Sequence, residues 1–211
     1  MAVSPVAAPS SDAILDAVVG KEQEVVRDEI VRLNKAYAFL KGDGGAVKLL
    51  ERAEKSNYGQ DLKSVRIVIQ HIHSDFAEAI HKIDAAIAEL NISVSGEVGL
   101  AAIAQNARQA RGGLGGVERM AVRRASEHGK TISERIKSLN EAKLRLENGI
   151  GIKEPSKLQN LRNIAGYNLN KISADAELLN KFPGYLINLL GLLQSARPSQ
   201  QKNALRRFLG I

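Results

Sequence analysis

The chain has 211 residues, with 30 Lys plus Arg against 23 Asp plus Glu for a formal charge of +7, and it contains no cysteine and no tryptophan. That length can bury a sizeable core, and the lack of cysteine excludes disulfides, zinc–thiolate sites, iron–sulfur clusters and a cysteine nucleophile. Aromatic residues at 4% leave little for an aromatic-lined pocket or a base-stacking platform, and no run reaches the roughly 18 apolar residues of a membrane-spanning helix.

Residues 1–11 (MAVSPVAAPSS) hold two prolines, small residues and no charge. They lack the basic start and apolar core of a secretory signal and the arginines of a mitochondrial presequence. They read as a flexible arm, and the expected address is cytoplasmic or nuclear. A first helix is expected from near Asp12 to about Lys41, because Val19, Val26, Ile30, Leu33, Tyr37 and Leu40 follow the 3–4 spacing of one buried seam. Gly42-Asp43-Gly44-Gly45 ends it. A short helix over roughly 46–56 follows, up to the break at Ser56-Asn57-Tyr58-Gly59.

The third helix carries the clearest pattern. Leu62, Val65, Ile69, Ile72, Phe76, Ala79, Ile83, Ala86 and Leu90 step by three and four without a miss, and nothing from Gln60 to Asn91 breaks a helix. A rod of that length spans about 48 Å, against a radius of gyration near 17 Å for a compact globule of this size. The molecule is therefore expected to be elongated. Residues 92–116 are permissive and end in Arg111-Gly-Gly-Leu-Gly-Gly116, read as a Gly-rich hinge over 111–116.

A fourth helix is expected from about Val117 to Asn148, with Ala125, Ile132, Ile136, Leu139 and Leu146 on one face, ending before Pro155. A fifth, over roughly 156–180, uses Leu158, Leu161, Ala165, Ile172, Ala176 and Leu179, and Phe182-Pro183-Gly184 is expected to break it. Tyr185 to Leu193 is apolar nearly all round except Asn188. Arg197-Pro198-Ser199 is expected to stop that stretch, and residues 196–211 are expected to form a short cationic amphipathic C-terminal helix. Taken together, residues 12–195 are expected to form an all-α, elongated antiparallel bundle of five to six helices, two or three of them long and coiled-coil-like.

The charge is unevenly placed. Residues 1–100 hold 11 basic and 15 acidic side chains, and residues 101–211 hold 19 basic and 8 acidic, so the halves are −4 and +11. The excess is densest from Arg108 to Arg145. Arg108, Arg111, Arg119, Arg123, Arg124, Lys130, Arg135 and Lys137 are thus candidates to meet a polyanion or a protein partner. Glu118, Glu127, Glu134 and Glu141 recur close to heptad spacing in the same run, as on salt-bridged helix surfaces. In the tail, Leu205, Arg206, Arg207, Phe208 and Leu209 are candidates for docking on a membrane surface or a partner groove.

Other motifs fail on spacing. Gly129-Lys130-Thr131 lacks the glycine five residues upstream that a phosphate-binding loop needs, since Arg124 stands there. His71 and His73 are two apart and point away from each other, and Glu78–His81 has no second Glu-x-x-His to complete a di-metal bundle site. The runs Val26–Leu33 and Ile132–Leu139 are similar to phrases in the helical N-terminal domains of plant immune receptors. The acidic motif of that family is not in the third helix, where His73 and Ser74 stand, so no membership follows.

No catalytic, metal or cofactor site is expected. The leading expectation is a non-enzymatic assembly or interaction protein whose partner is itself, as a homo-oligomer or filament, or another helical protein. The alternatives are a nucleic-acid-binding or packaging protein using the basic 108–145 face, and a membrane-surface-active bundle using 182–211.

Overall fold

The computed structural model describes residues 11–57, 61–95 and 116–195. Among these there is no strand. The elements are α1 (Ser11–Lys41), α2 (Ala46–Glu54), α3 (Leu62–Val94), α4 (Gly116–Ile150), a 3₁₀ turn (Pro155–Lys157) and α5 (Leu158–Ser195). Where five or six helices are expected from sequence, the described residues hold four long helices and the nine-residue α2. Most of the expected hinge at 111–116 and arm at 1–11, and all of the tail at 196–211, lie outside the described residues; the last residue of each of the first two, Gly116 and Ser11, instead opens a helix.

Each long helix packs against two others, in a ring running α1, α3, α4, α5 and back to α1. Contacts across the ring place the neighbours antiparallel. Lys35 meets Glu89 at 3.7 Å across α1 and α3, Lys143 meets Asp84 at 2.7 Å across α3 and α4, and Lys171 meets Glu141 at 2.7 Å across α4 and α5. Lys41 of α1 pairs with Glu177 of α5. The short α2 carries the α1 edge onward, since it packs on the same two helices, with Arg52 against Asp75 of α3. The turn between them needs glycine at 44, where φ is +73°, a value that side chains with a Cβ adopt only under strain.

The seam read from sequence is the core. On α3, Val65, Ile69, Ile72, Phe76, Ala79, Ile83, Ala86 and Leu90 are buried. Leu62, the first residue of the helix, is the exception at 68% exposure. Every apolar position expected on the fifth helix is buried. Large residues alternate with fully buried alanines (Ala36, Ala79, Ala86, Ala142, Ala165, Ala176), which lets the rods approach closely while Leu, Ile and Phe fill the remaining space. Gly149 goes further. A Cβ there would stand 2.7 Å from the ring of the fully buried Phe76, so α3 and α4 meet ring against bare backbone.

The fifth helix corrects the sequence reading. Phe182-Pro183-Gly184 does not break it, and α5 runs for 38 residues with Pro183 inside. Proline cannot donate to the Leu179 carbonyl and costs about 3 kcal/mol in a helix interior. Phe182 and Leu186, at 3% and 0% exposure, are anchored on either side, and each such burial contributes roughly 1.5–3 kcal/mol. Packing therefore holds the helix through a residue that local preference would use to end it. Just after the proline, Leu186 is buried while Tyr185 and Ile187 are exposed by 45% and 60%. Replacing Pro183 with Ala restores the missing donor and is expected to stabilise the chain by about 1–3 kcal/mol, seen as a rise in Tm by circular dichroism. A break at 182–184 would instead leave Tm unchanged or lowered.

Candidate interaction surfaces

The structure separates the basic run into inward and outward residues. Arg123, Arg124, Lys130 and Lys137 are exposed on α4. Arg135 turns inward, and its guanidinium donates at 2.9 Å to Asp175 of α5, whose side chain is only 3% exposed. Lys143 turns to Asp84 of α3 at 2.7 Å, and Arg145 lies over the Tyr167 ring, 4.4 Å from its centroid. Such a contact is worth about 0.5–1 kcal/mol at an exposed site. Arg108, Arg111, Leu205, Arg206, Arg207, Phe208 and Leu209 lie outside the described residues, as does the side chain of Arg119.

The outward residues form one ordered stripe. Arg123, Glu127, Lys130, Glu134, Lys137 and Glu141 are all exposed and, at 3.6 residues per turn, fall within about 80° of arc. They stand opposite the buried stripe of Ala125, Ile132, Leu139 and Leu146. Charge alternates in sign along them. Over 125–148 the chain carries five basic and four acidic residues, whereas 108–124 carries five and one. The positive excess of the run thus sits at and before the start of α4, and the body of the rod is nearly balanced.

Gly129-Lys130-Thr131 lies in the helix interior. Thr131 donates its hydroxyl to the Glu127 carbonyl at 3.0 Å and Ser133 donates to the Gly129 carbonyl at 3.0 Å, so no phosphate-cradling loop exists there. His71 and His81 are exposed on α3, and no group of three or more potential metal ligands occurs among the described residues.

A cleft of about 820 Å³ opens between α2 and the first half of α3, lined among others by Lys48, Arg52, Lys55, Ser56, His71 and Asp75. Its charges are largely committed. The Arg52 Nε donates to both Asp75 carboxylate oxygens at 3.0 Å, and Lys48 pairs with Asp43. Asp75 is 5% exposed, so the arginine supplies the partner that a buried carboxylate requires. The cleft is chiefly the wet side of that structural pair.

Two polar features of the interior carry no signature in sequence. His128 stacks on Tyr185 with ring centroids 5.4 Å apart and 1° between planes, and meets Phe182 edge-on at 5.4 Å. Burial holds its imidazole below the ordinary histidine pKa. The partners are more than 50 residues away in the chain, and only the antiparallel pairing of α4 with α5 brings them together.

Glu29 is the second. It is 0% exposed on α1, bonded to Arg32 at 3.1 Å, and its Oε1 has no hydrogen-bond partner. Burial raises its carboxyl above the ordinary 4.5, while Ser93 and Arg32 pull the other way. A carboxyl with a raised pKa binds more protons folded than unfolded. Its effect on stability is therefore favourable in acid and is lost as pH rises through the folded-state pKa. Replacing Glu29 with Gln is expected to stabilise the protein at pH 7, seen as a higher Tm, because burial disfavours the charged carboxylate. The advantage should vanish near pH 4, and a Tm difference independent of pH would contradict this account.

Comparison of the chain with protein-family models, curated proteins and solved structures finds no match.

Proposed function

We propose that this chain is a non-enzymatic helical assembly or interaction protein, whose partner is a copy of itself or another helical protein. The observation that carries the reading is the outer face of α4, where exposed charges alternate in sign along a rigid rod. Isolated surface charges contribute little to stability, while an ordered pattern of both signs gives a partner register and orientation. The elongated, coiled-coil-like form expected from sequence belongs to the same proposal, and the 38-residue α5 supports it, since such a helix spans about 57 Å. A cytoplasmic or nuclear address goes with this reading. Size exclusion with light scattering, at high protein concentration and low salt, is expected to give a mass above that of one chain. A strict monomer there rules out self-assembly.

A second reading, a nucleic-acid binder, draws on the five basic residues against one acidic residue in 108–124, of which Arg123 and Arg124 are exposed on α4. It requires log affinity for DNA or RNA to fall linearly with log salt. Replacing Arg119, Arg123 and Arg124 together with Gln should reduce that slope by about 3. An unchanged slope rejects the reading.

A further inference from the structure

We propose that a second copy of this chain docks on the outer face of α4 by antiparallel, two-fold pairing at the level of residue 132. The proposal rests on the interaction-protein reading and names its partner and register.

The argument begins with the order of signs. From residue 123 to residue 141 the exposed stripe reads Arg, Glu, Lys, Glu, Lys, Glu at positions 123, 127, 130, 134, 137 and 141. Rotating this row by 180° inverts every sign against the original. In the register centred at 132, Arg123 faces Glu141 of the second copy, Glu127 faces its Lys137, and Lys130 faces its Glu134. A two-fold axis repeats each contact from the other side, so every charge from 123 to 141 is matched, while Arg145, exposed on the same arc and held over the Tyr167 ring, is level with arginine position 119 of the second copy. Sliding by one heptad in either direction leaves two charges on each copy without an opposite.

The bland use of such a row is ion pairing within one helix, and it accounts for only part of the pattern. In Arg123–Glu127, Lys130–Glu134 and Lys137–Glu141 the basic residue comes first, which is the less favourable order for pairs four apart. Only Arg123–Glu127 is closed, at 2.9 Å, among those three. Glu134 lies 3.6 Å from Arg135, whose guanidinium is already held by buried Asp175. Glu141 receives Lys171 from α5 at 2.7 Å. Lys130 and Lys137 make no ion pair with any described residue. Among the inner four residues, 127 to 137, two exposed lysines thus make no ion pair with a described residue, and they stand beside two exposed carboxylates.

Neighbouring positions permit the approach. Ser126, Ser133 and Asn140, all exposed, flank the stripe with short polar side chains, and a Cβ at Gly129 would meet nothing within 4 Å. The stripe is about 27 Å long, which places the contact at the small end of specific interfaces. A reversible dimer, sensitive to salt, is the form that such a charged and narrow surface supports.

Charge exchange tests the pairing. Sedimentation of the full chain is compared in about 0.01 M and about 1 M salt, where the screening length is about 30 Å and about 3 Å. Wild type should be dimeric in low salt and monomeric in high salt. Lys130→Glu and Glu134→Lys each place like charges face to face twice, and each alone should weaken association by roughly tenfold or more. Both positions are exposed, so helix content by circular dichroism should stay unchanged. An equimolar mixture of the two variants should recover the dimer, because each introduced charge then meets its opposite. In either heptad-shifted register the mixture instead brings like charges together.

A dimer that survives both substitutions, or a mixture that stays monomeric, overturns the pairing and leaves the interaction-protein reading in place. A wild-type chain that is monomeric at about 1 mM in low salt overturns the pairing together with self-assembly as the proposed function. Restored association in the mixture, lost again in high salt, is the result expected.

Discussion

Four rods of more than thirty residues can bury their apolar stripes only against each other, and the distance at which they meet governs the rest of the molecule. Alanine at 36, 79, 86, 142, 165 and 176 keeps that distance short. Gly149 lets the Phe76 ring pack against the bare backbone of α4. Interiors packed this closely lose contact energy steeply with any gap, so the register of each helix pair is tightly held. The cross-helix pairs Arg135–Asp175, Lys143–Asp84 and Lys41–Glu177 then fall where that register puts them.

Polar groups inside the bundle divide into two kinds. Asp75 and Asp175 are buried beside arginines that enter from the neighbouring helix, and they favour one alignment over its slipped alternatives. Asp175, like Glu29, keeps one oxygen without a hydrogen-bond partner, but the arginine beside Glu29 comes from its own helix, and burial raises the Glu29 carboxyl so that its charge weakens the fold near neutral pH. The arginine spent on Asp175 also changes the character of the basic run. Once Arg135 and Lys143 are committed to carboxylates on α5 and α3, the outward face of α4 carries nearly equal numbers of both signs.

Much of the bundle is legible in sequence because an amphipathic helix writes its core directly into its spacing. The α3 seam from Val65 to Leu90 and the α5 positions from Leu158 to Leu179 are read from sequence and buried in the structure. Gly42-Asp43-Gly44-Gly45 ends α1 at Lys41 as expected, and α4 ends at Ile150, two residues past the expected Asn148 and before Pro155. The candidate surface is only half legible. Period-seven glutamates are visible in the chain, but whether Arg135 faces water or Asp175 depends on what α5 presents across from it.

Sequence alone determined the helical class, the long third rod, the turns around Gly44 and the positions of the main seam, because each is a local consequence of spacing and backbone chemistry. Tertiary structure decided three matters that cross between helices. It carried α5 through Pro183, since Phe182 and Leu186 are held on both sides by burial. It joined His128 to Tyr185 and Phe182. It also sorted the basic residues of α4 into those consumed by buried carboxylates and those left on an alternating outer face. The physical reason is common to all three: side chains far apart in the chain act on one another only after the antiparallel register has been set.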